Sequence, residues 1–65
     1  MSIQQYIVTR RITHAEHLLR DTKIPIAQIA EMVGYKYISS LSDMFRQHTG
    51  MKPSEYRKKM QNGTD

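Results

Sequence analysis

There is no cysteine among the 65 residues, so neither a disulfide framework nor a cysteine-based zinc site can staple the chain. No apolar run approaches the roughly 18 residues that a membrane span needs, and no signal-peptide pattern shows. The expected location is therefore the cytoplasm, with no membrane partner. Strict apolar/polar alternation, internal repeats and low-complexity tracts are all missing, which leaves an all-α chain. A glycine-rich phosphate loop is lacking, and no Ser-His-Asp arrangement is placed by motif, so the chain does not read as an enzyme or as a carrier of a cofactor. His14 and His17 stand three apart on a helix with no third ligand nearby, so they read as solvent-facing and no metal site is expected. Acid is scarce: six Asp and Glu face ten Lys and Arg, for a net charge of +4. That excess fits an anionic partner, nucleic acid first, or else a device for solubility. A chain this short is at most one domain and buries only about 60% of its unfolded surface, so its core must be small.

What is present is helical periodicity with clear punctuation. Ser2-Ile3-Gln4-Gln5 has the form of a capping box, and Ile3, Ile7, Ile12, Ala15, Leu18 and Leu19 recur at helical spacing, which predicts a helix over 3–20. Arg10 and Arg11 in its middle keep one side wet or beside charge: one of them suits a phosphate, the other a carboxylate such as Glu31. Pro25 ends the break that follows. Ile26, Ile29, Ala30 and Val33 then make one apolar stripe, a short helix over 26–33. Gly34 supplies the turn, and a third helix is expected over 38–49 with Leu41, Met44, Phe45 and His48 inward. Gly50 closes it, Pro53 suits the first position of a helix over 53–60, and residues 61–65 should fray. Tyr35 and Tyr56 read as core with their hydroxyls at the edge, and Met32, Met44 and Met51 as gap fillers.

A short helix, a glycine-containing turn and a three-turn helix have the geometry of a helix-turn-helix, and equally of an ordinary helical hairpin. Three features favour nucleic acid. The outward side of the third helix is small and polar, with Ser39, Ser40 and Ser42 able to approach phosphates or base edges closely. Lys36, Arg46, Lys52 and the run Arg57-Lys58-Lys59 surround it in sequence. The first turn of the second helix offers amides to a phosphate. Asp43 is the discordant residue. It reads as an acceptor for a cytosine amino group, as the acid of a Ser40-Leu41-Ser42-Asp43 capping box, or as a partner that orients Arg46 or Lys36. Tyr37, in the turn, either faces a groove or faces solvent.

The residues also carry a resemblance. Arg11-Ile12 with Ala15 and Leu18-Leu19, Ile26-x-x-Ile29-Ala30-x-x-x-Gly34-Tyr35, Ser39-x-Leu41-Ser42-x-x-Phe45-Arg46 and Gly50-x-x-Pro53-x-x-Tyr56-Arg57 together are similar to the AraC/XylS family of bacterial transcription regulators. The likeness runs from about Tyr6 to Arg57. It implies a small bundle of about four helices with homeodomain-like architecture, covering the family's linking helix (3–20), its second helix-turn-helix (26–49) and a C-terminal helix (53–60). The first unit and any effector domain lie outside the resemblance, so the chain is expected to be a piece of a longer regulator. The third helix becomes the recognition helix. Two departures stand out: Asp43 replaces an arginine that in many members reaches DNA, and Lys52 replaces a small hydroxyl residue that would cap the last helix. The candidate DNA-binding residues are Lys36, Tyr37, Ser39, Ser40, Ser42, Asp43, Arg46 and Gln47. The expected function is sequence-specific binding of double-stranded DNA, the alternative a helical protein-interaction module. RNA polymerase is a further candidate partner. The isolated chain is expected to be a monomer, and the full-length protein is a candidate dimer.

Overall fold

The box read at Ser2 closes. In the computed structural model, which describes residues 2–62, Ser2 Oγ accepts from the Gln5 amide at 3.1 Å and Gln5 Oε1 accepts from the Ser2 amide at 3.0 Å. This starts α1, Ile3–Asp21. At its other end the Thr22 amide donates to the Leu18 carbonyl at 3.1 Å, and the Thr22 hydroxyl then accepts from the Ile24 amide at 3.2 Å. The chain is thereby led out of the helix before Pro25, the N-cap of α2, Ile26–Met32. Val33, expected inside that helix, is its C-cap.

Gly34 follows with φ +104°, a conformation that a Cβ disfavours, and the Tyr35 amide reaches back to the Ala30 carbonyl at 2.7 Å. After this turn α3 spans Ile38–Thr49. Gly50, at φ +80°, ends it, and Pro53 is the first residue of α4, Pro53–Asn62. Residues 61 and 62, expected to fray, are thus helical, and residues 63–65 of the expected tail lie outside the described residues. Among the described residues there are four helices and no strand, the all-α bundle expected from the sequence. None of these helices is long and apolar enough to cross a membrane.

α1 runs against each of the other three helices, and α3 lies against α1, α2 and α4. The core between them is Ile12, Ala15, Leu18 and Leu19 of α1, Ile29 and Ala30 of α2, Val33, and Leu41 and Phe45 of α3. Fully burying one such large side chain is worth about 1.5–3 kcal/mol, so the fold rests on few residues. Phe45 meets Tyr56 of α4 edge to face, with ring centroids 5.3 Å apart. The Tyr35 hydroxyl, expected at the edge, is buried with no hydrogen-bond partner among the described residues.

Candidate nucleic-acid interface

α3 has two unlike sides. Leu41 and Phe45 have no exposed surface and fix the helix to the core. At about 100° per residue, Ser39, Asp43 and Arg46 fall within about 60° of arc on the other side. All three are exposed, with Gln47 exposed at one edge and the half-buried Ser40 and Ser42 toward the flanks. Among the described residues none of these six side chains makes a hydrogen bond or ion pair within the fold. Lys36 and Tyr37 sit in the turn just before the helix. Both are exposed, and the Lys36 ammonium is 5.8 Å from the centre of the Tyr37 ring.

The structure narrows the readings of Asp43. α3 begins at Ile38 with Tyr37 as N-cap, and no side chain caps it. Ser40 is therefore already the third residue of the helix, and Asp43 lies in its second turn, too far in to close a capping box. Asp43 pairs with neither Arg46 nor Lys36; the ion pairs among the described residues are His17–Asp21 at 2.9 Å and Arg20–Asp21 at 3.1 Å. Its carboxylate is left facing solvent beside Ser39 and Arg46.

The basic run at 57–59 divides. Arg57 does not point into solvent: its Nε donates to the Leu19 carbonyl at 3.2 Å and its Nη2 to the Thr22 carbonyl at 3.2 Å. Gln61, one turn on, donates to the same carbonyls at 3.0 and 2.7 Å. These are end-of-helix carbonyls that α1 itself cannot satisfy, so the two side chains of α4 clasp its C-terminus. Lys58 and Lys59 remain exposed. At the start of α4, Glu55 Oε1 accepts from the Lys52 amide at 2.9 Å, so half of a capping box survives although Lys52 has no hydroxyl to complete it.

Other positions also differ from the sequence reading. His48, expected to pack inward, is exposed; it has the helical phase of Leu41 but borders a shallow cleft beside Thr9, Ile12 and Thr13. Ile38 was missed altogether. It shares the phase of Leu41 and Phe45, which masked it, yet 46% of it is exposed next to Tyr37, itself 59% exposed. Arg11 does not pair with Glu31 but lies half-buried over the Tyr35 ring, while Arg10 is exposed. Arg10, Arg11, His14, His17, Arg20 and Met32 border an open groove of about 670 Å³ between α1 and the end of α2. There Arg20 holds the Asp21 carboxyl below the usual carboxylate range, first by its hydrogen bond and then by its charge.

Comparison with known proteins bears on this arrangement. A family profile described as a helix-turn-helix domain matches residues 1–59. The chain is 36% identical over 62 residues to the Msm operon regulatory protein of Streptococcus mutans serotype c, covering 95% of this chain and 22% of that protein. It is 37% identical over 57 residues to the HTH-type transcriptional activator RhaR of Salmonella arizonae, covering 88% of this chain and 20% of that one. Among solved structures, the C-terminal domain of AraT, a response regulator from Geobacillus stearothermophilus, superposes with a TM-score of 0.87 at 34% identity, covering 89% of this chain and 48% of that domain. The chain thus spans about a fifth of the length of these curated relatives. A short helix, a glycine turn over a buried Leu41–Phe45 anchor and a polar outer side recur in a chain whose relatives regulate transcription; the chain belongs to the AraC-type helix-turn-helix domain family.

Proposed function

We propose that the chain binds double-stranded DNA sequence-specifically, with α3 in the major groove as recognition helix and α2 crossing the backbone behind it. The observation that carries this reading is the outer side of α3: Ser39, Asp43, Arg46 and Gln47 are exposed and have no partner among the described residues, on a helix whose other side is locked by Leu41 and Phe45. In the groove Arg46 suits guanine or a phosphate, Gln47 suits adenine, and the Asp43 carboxylate suits the cytosine amino group. Ser39, with Ser40 and Ser42 beside it, permits close approach. Lys36 serves a phosphate, and Tyr37 with Ile38 offers an apolar surface for a thymine methyl.

In the same reading α1 is the linking helix of a two-unit module, and residues 26–49 are the second unit. The apolar Ile3, Tyr6 and Ile7, 75%, 53% and 42% exposed at the start of α1, support a neighbour there. The chain acts by binding and not as an enzyme, its place is the cytoplasm, and alone it is a monomer. RNA polymerase and a second regulator copy are partners of the full-length protein. The family match favours DNA binding over a pure protein-interaction module.

Selection from randomised duplexes tests specificity directly: a recurring motif is expected. Amide shifts on adding duplex at low salt should then cluster at Ser39, Ser40, Asp43 and Arg46. Shifts confined to α1 or α4, or none at any salt, would sink the reading. If about four phosphates are neutralised, log K should fall against log salt with a slope of roughly −3 to −4.

A further inference from the structure

Of the three arginines on α1, Arg11 alone is half-buried. Its guanidinium carbon lies 5.2 Å from the centre of the Tyr35 ring. A Cβ placed on Gly34 would come within 2.9 Å of Arg11 Nε and 3.2 Å of its Cζ. The guanidinium is therefore seated against the Gly34 backbone and over Tyr35. Gly34 is required at this point by its positive φ, and a Cβ there would in addition push the Arg11 guanidinium off its seat.

Gly34 and Tyr35 are the last anchored residues before the exposed Lys36 and Tyr37 and the first turn of α3. Within the hairpin the turn is held by the Tyr35 amide on the Ala30 carbonyl, at 2.7 Å. From outside the hairpin the side chain seated on it is that of Arg11. Among the described residues the Arg11 guanidinium makes no hydrogen bond or ion pair, so what holds it is the ring face and the bare glycine backbone. A planar, delocalised cation suits such a seat, whereas a lysine ammonium keeps the charge but not the plane.

We infer that Arg11 is a positioning residue for DNA recognition: seated on Gly34 and Tyr35, it sets the angle at which Lys36, Tyr37 and the first turn of α3 meet the duplex, without itself touching a phosphate. This rests on the DNA-binding reading above. A phosphate contact and a brace differ in their counterions. Losing one phosphate contact lowers the salt slope by about 0.9, whereas losing a brace leaves the number of neutralised phosphates unchanged.

The test uses the whole chain, a duplex carrying the selected motif, a scrambled duplex, and the variants Arg11→Met and Arg11→Lys. The expected result is a fall of about tenfold in the ratio of specific to nonspecific affinity for Arg11→Met, with an unchanged salt slope and little rescue by Arg11→Lys. In the free protein, amide shifts for both variants should concentrate at residues 34–39. A slope reduced by about 0.9 and restored by Arg11→Lys would make Arg11 a phosphate contact and overturn the inference. So would equal losses on both duplexes, the mark of a merely structural residue, or a free-protein spectrum unchanged at 34–39. Should Arg11→Met fail to fold, Arg11→Lys and Tyr35→Leu carry the same readouts. Absence of DNA binding by the unaltered chain would strike the functional reading instead, and the free-protein shifts would still decide whether Arg11 braces the turn.

Discussion

Arg46 and Gln47 on α3 and Arg57 and Gln61 on α4 are the same two residue types, placed on neighbouring helices, and they end in opposite situations. The pair on α4 is spent inside the molecule, where its donors meet the carbonyls of Leu19 and Thr22 at the end of α1. The pair on α3 is exposed and keeps its donors. The residue type does not decide this; the acceptors within reach do. A helix end leaves carbonyls without intrahelical partners, and α4 passes one. Among the described residues the outer side of α3 passes none, so its donors stay unspent, as the proposed contacts to base edges and phosphates need.

The comparison breaks most completely if the support common to both pairs is removed. Phe45→Ala should cost about 3–5 kcal/mol in urea unfolding, a large part of what so small a domain has, and abolish both the clasp and DNA binding. Arg57→Ala strikes one side only. A loss of about 2 kcal/mol is expected, with the salt slope of DNA binding unchanged in the folded fraction; a slope reduced by about 0.9 would return Arg57 to the phosphate-contacting run.

On α3 the expectation is reversed. Arg46→Ala should stay within about 0.5 kcal/mol of the parent in stability while weakening DNA binding and flattening the salt dependence by about one unit if it meets a phosphate. Asp43→Arg should likewise leave stability within about 0.5 kcal/mol, raise affinity for a scrambled duplex at low salt and change the preference at one base pair of the selected motif. A stability loss of 0.5–2 kcal/mol, about what a lost cap costs, would contradict the placement of Asp43 in the second turn.

The smallest effect belongs to Asp21, where both partners are exposed. Its carboxyl is held below the usual range by Arg20, so the stabilisation it adds is present above its unfolded pKa and is lost as pH falls through the lower folded one. Asp21→Asn should shift the thermal midpoint slightly at neutral pH, and the difference from the parent should vanish in acid.

Much of the fold was legible because it depends on local pattern. The Ser2–Gln5 box, the Ile26–Ile29–Ala30 stripe, Gly34 and Pro53 each act through their immediate neighbours, and each appears where its chemistry puts it. The errors share a different cause. Arg57 was read with Lys58 and Lys59 as a phosphate-neutralising run because nothing near it in sequence shows that its acceptors belong to Leu19 and Thr22. The capping motif at Ser40–Asp43 fits the residue pattern, but the helix starts at Ile38, as its expected span already implied, and behind an extended Tyr37 the motif is an interior stretch. Ile38 and His48 share the phase of Leu41 yet lie beyond the ends of the packed core, and periodicity gives direction without reach. Among the candidate contacts, the sequence pointed to the polar side of α3; it named Arg11 only as a partner for a phosphate or a carboxylate, because its seat exists only once α1 and the turn at Gly34 are brought together.

The clasp at the end of α1 also imposes an order in time. The carbonyls of Leu19 and Thr22 take their donors from residues 35 to 42 positions further along the chain. During synthesis α1 is made before the other three helices, but its end carbonyls wait first for Arg57 and then for Gln61 before both donors are in place. A nascent or nicked chain ending at Met60 would hold the whole helix-turn-helix and still lack one of the two side chains that fasten it to α1. Of the four helices described, the first to be made is thus the last to be finished, and a protease that trims only the final turn of α4 reaches a helix end on the far side of the sequence.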